Sequence, residues 1–213
     1  MPPPSASPGA AGAKVFGPHQ NEYAVVTEHH DLRPLVVGDD PEDFIRNFTA
    51  KLYSPGPTHE EDPERGELVA SVRFSLVGFG AWGGDGESVK FDFADAVSGE
   101  LLEIAEALFD ENGDLREELD ASYVGSDVLH VEMIEVEAGY STFEVVRYLL
   151  EHVLMRYGHG CSCAVYYQAN WESIGVARPL KDRGFRQIRA RNRHVWFVDL
   201  GLKRPPLDSS EKE

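Results

Sequence analysis

The sequence predicts an α/β fold in which a mixed central sheet carries helices on both faces. Apolar residues at alternate positions mark several strands, and apolar residues at helical spacing mark several helices. In the second half of the chain the two kinds of segment alternate, and a strand, a helix and a strand in this order form a parallel pair joined by a right-handed crossover. With 213 residues, 42% of them hydrophobic, the chain suits one such domain.

We expect this domain to span residues 21–201, with a tail on each side. Residues 1–20 start with MPPPSASPGAAGA, a flexible composition that has neither the basic start nor the apolar run of a signal peptide. Residues 202–213 are polar. No segment of the sequence approaches the ~18 to 20 apolar residues of a membrane helix. We therefore expect a cytoplasmic protein without a membrane partner.

The first half of the domain is predicted to contain two strands with a helix between them. EYAVVTEH, residues 22–29, has the composition of a strand. PEDFIRNFTAKLY, residues 41–53, is predicted to be a helix, because Pro41 suits a first helical position and the apolar residues share one helix face. The proline and glycine residues of the loop SPGPTHEEDPERG are predicted to end this helix. ELVASVRFSLVGFGAW is predicted to be a strand, with one side formed by Leu68, Ala70, Val72, Phe74 and Leu76.

An acidic helical insertion near residues 92–119 follows. DAVSGELLEIAEALFDENGDLREEL has an apolar stripe formed by Val97, Leu101, Ile104 or Ala105, and Leu108. Its DENGD resembles part of a calcium-binding loop, but the glycine stands at the wrong distance from the first Asp, and no Glu follows at the twelfth position of such a loop. We therefore predict a polar turn, and the insertion either covers the sheet or closes over a site.

The second half is predicted to continue with a strand, a helix, a strand, a short helix and two closing strands. Their bounds are 127–136 (DVLHVEMIEV), 142–157, 161–169 (CSCAVYYQA), about 172–183, 185–190 and 193–200. Cys161 and Cys163 are expected to point the same way from one strand, without a disulfide. A buried pair of thiols is favoured over a metal site, because no His or further Cys stands at ligand spacing.

The net charge of −17 disfavours nucleic acid and anionic membranes as partners and favours a cationic substrate. One segment is an exception, with seven basic residues: Arg178, Lys181, Arg183, Arg186, Arg189, Arg191 and Arg193. This basic cluster either binds a phosphate of a cofactor, an anionic substrate or an acidic partner, or it pairs with the chain's own carboxylates.

Two local patterns make the chain resemble the GNAT superfamily of N-acetyltransferases. IEVEAGYSTFEVVRYLL, residues 134–150, aligns without a gap with the family's strand, cofactor loop and apolar helix, and LKDRGFRQI, residues 180–188, is similar to the end of the helix before the last strands. By element order the resemblance covers roughly residues 22–200. It implies a sheet of the GNAT type, an acetyl-CoA or other acyl-CoA cofactor, no metal, and acyl transfer to a small-molecule or protein amine.

The resemblance also identifies the residues that would bind the cofactor. The strand-end N–H groups of Val136 and Ala138 would contribute, together with the helix start at Ser141, Thr142, Phe143 and Glu144. Side chains here replace the family's glycines, and STFE is a capping box. We expect Ser141 to accept the Glu144 N–H and the Glu144 carboxylate to fold back over the helix start, which opposes a pyrophosphate. The same pattern is also that of an ordinary capped helix without a ligand.

Catalytic residues are expected on the strand before that helix. Glu132 is the first candidate for a general base and His130 the second, and either is equally an ordinary hydrogen-bonded strand residue. Alternation places His130, Glu132, Ile134 and Val136 on one face and Val131 and Met133 on the other. The tyrosine that serves as general acid in the family corresponds to Leu180, which cannot donate a proton. Tyr157, Tyr166 or Tyr167 would take over this role, or these tyrosines are only packing residues. Two functions stay open: a CoA-dependent N-acyltransferase, or a GNAT-fold binding module that has lost acetyl transfer.

Overall fold

The computed structural model describes residues 23–30, 40–55, 66–80, 89–119, 127–168, 175–188 and 195–201. The strands are β1 (Ala24–His29), β2 (Ile45–Tyr53), β3 (Leu68–Gly78), β4 (Asp127–Val136), β5 (Cys163–Tyr167), β6 (Arg186–Gln187) and β7 (Val195–Asp199). The helices are α1 (Val89–Val97), α2 (Gly99–Leu108), α3 (Thr142–Tyr157) and α4 (Ala177–Asp182), with short 3-10 turns at Pro41–Phe44 and Glu117–Leu119. The tails predicted at 1–20 and 202–213 lie outside the described residues.

The strands form one seven-stranded mixed sheet in the order β1-β2-β3-β4-β5-β7-β6. Neighbouring strands from β1 to β4 are antiparallel, β4 and β5 are parallel, and β5, β7 and β6 are antiparallel again. The parallel pair is joined through α3, as the strand-helix-strand order predicts. The predicted fold class, an α/β fold with a mixed central sheet, is therefore confirmed.

Helices cover both faces of the sheet and bury a separate apolar core on each. On the α3 face, Val145, Val146, Leu149, Leu150 and Val153 of α3 pack on β2 to β5, and Leu180 of α4 joins them. On the α2 face, Leu101, Ile104, Ala105 and Leu108 of α2 pack with Phe93 of α1 on β3, β4, β5 and β7. The predicted stripe of the acidic segment is thus a core-facing stripe, and the segment covers the sheet.

The helix predicted at 41–53 is wrong. Asp40 and Pro41 do start a helical turn, in which the Asp40 carboxylate accepts the Glu42 N–H at 3.1 Å, but the turn ends at Phe44 and the chain continues as β2. The apolar residues at positions 44, 45, 48 and 52 fit the spacing of one helix face and also, with the exception of 45, the alternation of a strand. The strand is selected by its neighbours, because β2 lies between β1 and β3 and pairs with both along most of its length.

The acidic segment is two helices and a turn. Ser98 ends α1 and caps α2, since its hydroxyl oxygen accepts the Leu101 N–H at 3.1 Å. In DENGD the Asp110 carboxylate accepts the N–H groups of Asn112 and Asp114 at 2.9 and 3.0 Å, and Gly113 takes the left-handed conformation with φ 77°. The predicted polar turn is confirmed.

The strand β4 and the helix α3 match their predicted bounds, and β1, β3, β5, β7 and α4 lie within theirs. Among the described helices, none is both long and apolar enough to span a membrane.

Candidate functional site

The pairing of the parallel strands β4 and β5 ends before β4 does, and this place is here called the cleft. Their pairing runs from Val128 with Cys163 to Val131 with Tyr166, which is the last pair within the described residues. β4 continues to Val136, and the residues from Glu132 to Val136 have a strand partner on the β3 side alone in this part of the chain. Within the described residues, the β5-side edge of the second half of β4 therefore has no strand pairing.

A β-bulge at Glu132 lies where the strands separate. Arg73 of β3 pairs with Met133 and the next residue, Phe74, pairs with Val131, so Glu132 is the additional residue in β4. The bulge inverts the alternation that the sequence predicts. Ile134 and Val136 pack on the α3 face, as Val131 does, whereas the expectation grouped them with His130.

His130 lies on the opposite face from these residues. Its ring is buried on the α2 face, and its Nε2 atom lies 3.1 Å from the Glu100 carboxylate of α2. The partly exposed Glu132 stands at the mouth of the cleft. The two candidate bases are thus close in sequence, but the predicted shared face of His130, Glu132, Ile134 and Val136 is wrong.

Of the two predicted strand-end N–H groups, that of Val136 points into the cleft. The Glu137 N–H donates to the Val69 carbonyl at 2.9 Å, so the preceding N–H, of Val136, points away from β3 and towards the β5 side. Ala138 and Gly139 then form an exposed turn, closed by the Tyr140 N–H on the Glu137 carbonyl at 3.3 Å. Gly139 has φ 98°, a conformation that favours glycine.

The start of α3 is covered by its own Glu144. Ser141 is the N-cap residue, as predicted, but within the described residues its oxygen accepts no N–H of the first turn. Its hydroxyl instead donates to the Glu144 carboxylate. The predicted bond from the Glu144 N–H to the Ser141 oxygen is therefore wrong, while the predicted fold-back of the Glu144 carboxylate is present. The hydroxyl of Ser141, then the Glu144 N–H, and then Arg147 and Arg178 lower the pKa of Glu144, so it is an anion at neutral pH.

Two arginines flank this carboxylate. Arg147 belongs to α3 itself, and Arg178 comes from α4, where its guanidinium lies over the Phe143 ring at 4.5 Å from the centroid. The two helices are held together there, since a Cβ atom at Gly175 would lie 3.0 Å from the Thr142 methyl group. The helix start and the two arginines thus form an anion-binding arrangement that Glu144 now fills.

The rest of the described basic cluster is divided between carboxylates and aromatic rings. Arg183 pairs with Glu151 at 2.9 Å, Lys181 lies over Trp196 and Arg186 over Phe197. Arg189, Arg191 and Arg193 lie outside the described residues. Sequence reasoning included Arg178 as one of seven basic residues and missed Arg147, whose position one helical turn after Thr142 and Phe143 was the available signal.

The tyrosines proposed as replacements for the general acid occupy different environments. Tyr157 packs against Phe48 and Phe74, with centroids 5.3 and 4.9 Å away, far along α3 from the cleft. Tyr166 is in the core of the α3 face, as is Leu180. The Tyr167 hydroxyl lies at the end of β5 on the α2 face and donates to Glu103 at 2.8 Å. Of the three, Tyr166 and Tyr167 border the cleft.

The two cysteines lie on opposite faces, contrary to the expectation of a shared direction. Cys163 is in the α2-face core, whereas Cys161 packs against the α3-face core, because β5 begins only at Cys163 and alternation does not extend back to Cys161. Both are free thiols. Among the described side chains, no group of three or more His, Cys, Asp or Glu is arranged to hold a metal ion.

We expect alkylation of both thiols to be slow in the native protein. Burial, the largest cause in each case, raises the pKa of Cys161 to about 11 and that of Cys163 to about 12. At about pH 8 a thiol of pKa about 11 is a thiolate in roughly one molecule in a thousand. Iodoacetamide labelling followed by mass spectrometry should modify both peptides quickly in urea, and in the native protein Cys161 slowly and Cys163 more slowly still. Rapid native labelling of Cys163 would contradict the buried position.

Two solved structures are similar to this chain at low identity. The crystal structure of a point mutant of KacT has 12% sequence identity and a TM-score of 0.42, and the match covers 74% of this chain and 72% of that one. The structure of AtaT complexed with acetyl-methionyl-tRNAfMet has 8% identity and a TM-score of 0.35, over 83% of this chain and 95% of that one. No protein-family model and no curated protein matches the sequence. At this distance neither likeness bears on activity or substrate.

Proposed function

We propose that this chain binds an acyl-CoA in the cleft between β4 and β5 and transfers the acyl group to an amine. The observation that carries the proposal is the separation of two parallel strands directly before a helix whose N-terminus is flanked by Arg147 and Arg178. An extended ligand can pair with the exposed edge of β4 while its anionic end reaches the helix start.

The residues fit acetyl-CoA or another acyl-CoA on one condition. Val136 N–H faces the cleft, and Arg147 and Arg178 supply positive charge at the start of α3. The Glu144 side chain has to turn outwards, which releases the first-turn N–H groups of Thr142, Phe143 and Glu144 for a diphosphate. The bound group would supply an acyl carbon activated as a thioester.

Glu132 is the proposed general base, because a partly exposed carboxylate at the mouth of the cleft can take a proton from an incoming amine. The charge of −17 supports a cationic amine, on a small molecule or a protein, and opposes nucleic acid. Two free thiols support a reducing compartment, so the cytoplasm is the proposed location.

A second function, ligand binding without acyl transfer, is favoured by the ionised Glu144 at the helix start. This carboxylate occupies the position where a diphosphate would bind, and its charge repels one. Leu180 at the position of the family's acidic tyrosine agrees with this alternative, since its side chain is buried and has no proton to donate. The two functions share the cleft and differ in turnover.

Calorimetric titration with CoA and acetyl-CoA, together with thiol release in the presence of amines, tests the proposal. We expect micromolar binding that weakens about tenfold on Arg178→Ala, because a charge-assisted contact to phosphate is lost. Arg116→Ala is the matched control, since Arg116 bonds to the Glu106 carbonyl away from α3. Binding without thiol release would rule out acyl transfer, and no heat at millimolar acetyl-CoA would overturn the acyltransferase and favour a binding module that has lost acetyl-CoA binding.

A further inference from the structure

Four polar side chains lie together on the α2 face, directly beside the last paired residues of β4 and β5. They are His130 of β4, Tyr167 of β5, and Glu100 and Glu103 of α2. His130 precedes Val131 and Tyr167 follows Tyr166, so both stand at the point where the strands separate. Glu100 and Glu103 are three residues apart on α2 and therefore share one side of that helix.

Direct contacts connect these residues. The Tyr167 hydroxyl donates to Glu103 at 2.8 Å, and His130 Nε2 lies 3.1 Å from Glu100 Oε1. Burial first, and then the Glu103 and Glu100 carboxylates, raise the pKa of Tyr167 to about 12, which shows that both acids act on this hydroxyl. The four residues form one cluster, the acidic pocket, in which His130 is the most deeply buried member.

His130 Nε2 is an unsatisfied atom in this pocket. The side chain is 7% exposed, yet among the described residues Nε2 has no hydrogen-bond partner. Glu100 Oε1 is within distance but lies off the direction of a ring N–H. A neutral ring with its proton on Nδ1 would place two acceptors, Nε2 and Oε1, 3.1 Å apart with no proton between them. Such a pair is unfavourable until a group with several donors binds both.

We infer that this acidic pocket is the recognition site for the ammonium group of a cationic amine. An ammonium has three N–H donors, which suit His130 Nε2, Glu100 and Glu103, and its charge matches the two carboxylates. Glu100 is 39% exposed at its side chain, which leaves the pocket open to a ligand. The inference rests on the proposed function for the subsequent acylation, and it names the substrate class of that site.

The position of the pocket explains how the two ligands would approach each other. The helix start that would hold the diphosphate packs on the α3 face, whereas the acidic pocket is on the α2 face, and the end of the β4–β5 pairing lies in the sheet between them. Glu132 follows Val131, the last residue of β4 that pairs with β5 among the described residues. The proposed base is thus two residues along β4 from His130.

Kinetics with two probe amines test the pocket. Spermidine is cationic and aniline is uncharged near neutral pH, so only spermidine uses the carboxylates. We expect Glu100→Gln and Glu103→Gln each to raise the KM for spermidine about tenfold and to leave the KM for aniline unchanged, because only charge-assisted hydrogen bonds are lost. His130→Leu, which fills the buried position without an acceptor, should raise the same KM.

Glu106→Gln is the matched control, because Glu106 is an exposed acid on the same helix and its loss changes the net charge equally. Equal KM values for spermidine in the Glu100, Glu103 and Glu106 variants would overturn the inference, as would parallel changes with aniline.

Calorimetry with spermidine alone separates this inference from the proposed function. If the wild-type chain binds no acetyl-CoA but binds spermidine, and Glu100→Gln removes that binding, acyl transfer is wrong and the amine site stands. If the chain binds acetyl-CoA and spermidine gives neither heat nor thiol release, the amine site is wrong and CoA binding stands.

Discussion

Phe74→Ala is expected to lower the free energy of unfolding by about 3–5 kcal/mol, the range for removal of a fully buried phenyl ring. Phe74 is 0% exposed in β3. Its ring stacks on Phe48 of β2 at 5.1 Å between centroids and contacts Tyr157 of α3 at 4.9 Å. Deletion leaves a cavity where two strands and the helix meet, because the two neighbouring rings belong to two different elements, β2 and α3, and cannot both move inwards.

Urea unfolding followed by far-ultraviolet circular dichroism measures this loss. Met155→Ala is the control, since Met155 lies on the same helix as Tyr157 and is 43% exposed; we expect a change within about 0.5 kcal/mol. A cost below about 1 kcal/mol for Phe74→Ala would show that the aromatic cluster is not the structural centre of the α3 face.

The sequence predicts an element well where local signals and periodicity agree. For α3, the STFE start and the apolar spacing from Val145 to Val153 indicate the same helix, and its bounds are as predicted. For residues 41–53 the apolar spacing fits both a helix and a strand. The choice is made by pairing with β1 and β3, which involves residues far away in the chain. Local propensity therefore gave the start at Pro41 and failed on the type of element.

The site was less predictable than the fold because its parts come from separated segments. The resemblance predicts a site on β4 and α3, and one additional residue at Glu132 inverts the faces of β4 beyond it. Glu100 and Glu103 look like solvent-facing acids on a helix, and only the packing of α2 on β5 places them beside Tyr167. Periodicity predicts which side of a helix is apolar, and it does not predict which strand lies opposite its polar margin.

The side chains at the N-terminus of α3 bear on both stability and function. Ser141 and Glu144 form a local contact that needs no other part of the chain, so the sequence indicated the pair, although the bond is made to the Glu144 carboxylate and not from the Glu144 N–H. Arg147 and Arg178 turn the same place into a site for an anion, and Arg178 arrives from another helix. Stability of the helix start and affinity for a phosphate thus depend on the same N–H groups, and the first is obtained at the expense of the second.

Glu144→Gln is expected to strengthen CoA binding on the order of tenfold, because a like charge leaves the place where a diphosphate would bind. The same variant should melt at a lower temperature, since the helix start loses a negative charge that Ser141, the Glu144 N–H, Arg147 and Arg178 stabilise. The lowered pKa fixes the sign of the pH dependence. The stabilising contribution is present at neutral pH and disappears as the pH falls through the folded-state pKa, so the melting temperatures of wild type and variant should converge in acid.

Glu151→Gln is the matched control for this charge change, because Glu151 lies on the same helix and pairs with Arg183 away from the helix start. It should leave CoA affinity unchanged, whereas a long-range effect of net charge would raise affinity in both variants. Calorimetry with CoA and thermal melts at neutral and acidic pH give both quantities for each protein. If Glu144→Gln lowers stability without a gain in affinity, the obstacle to CoA is the closed backbone of the loop, and the binding-module function is the better account of the cleft.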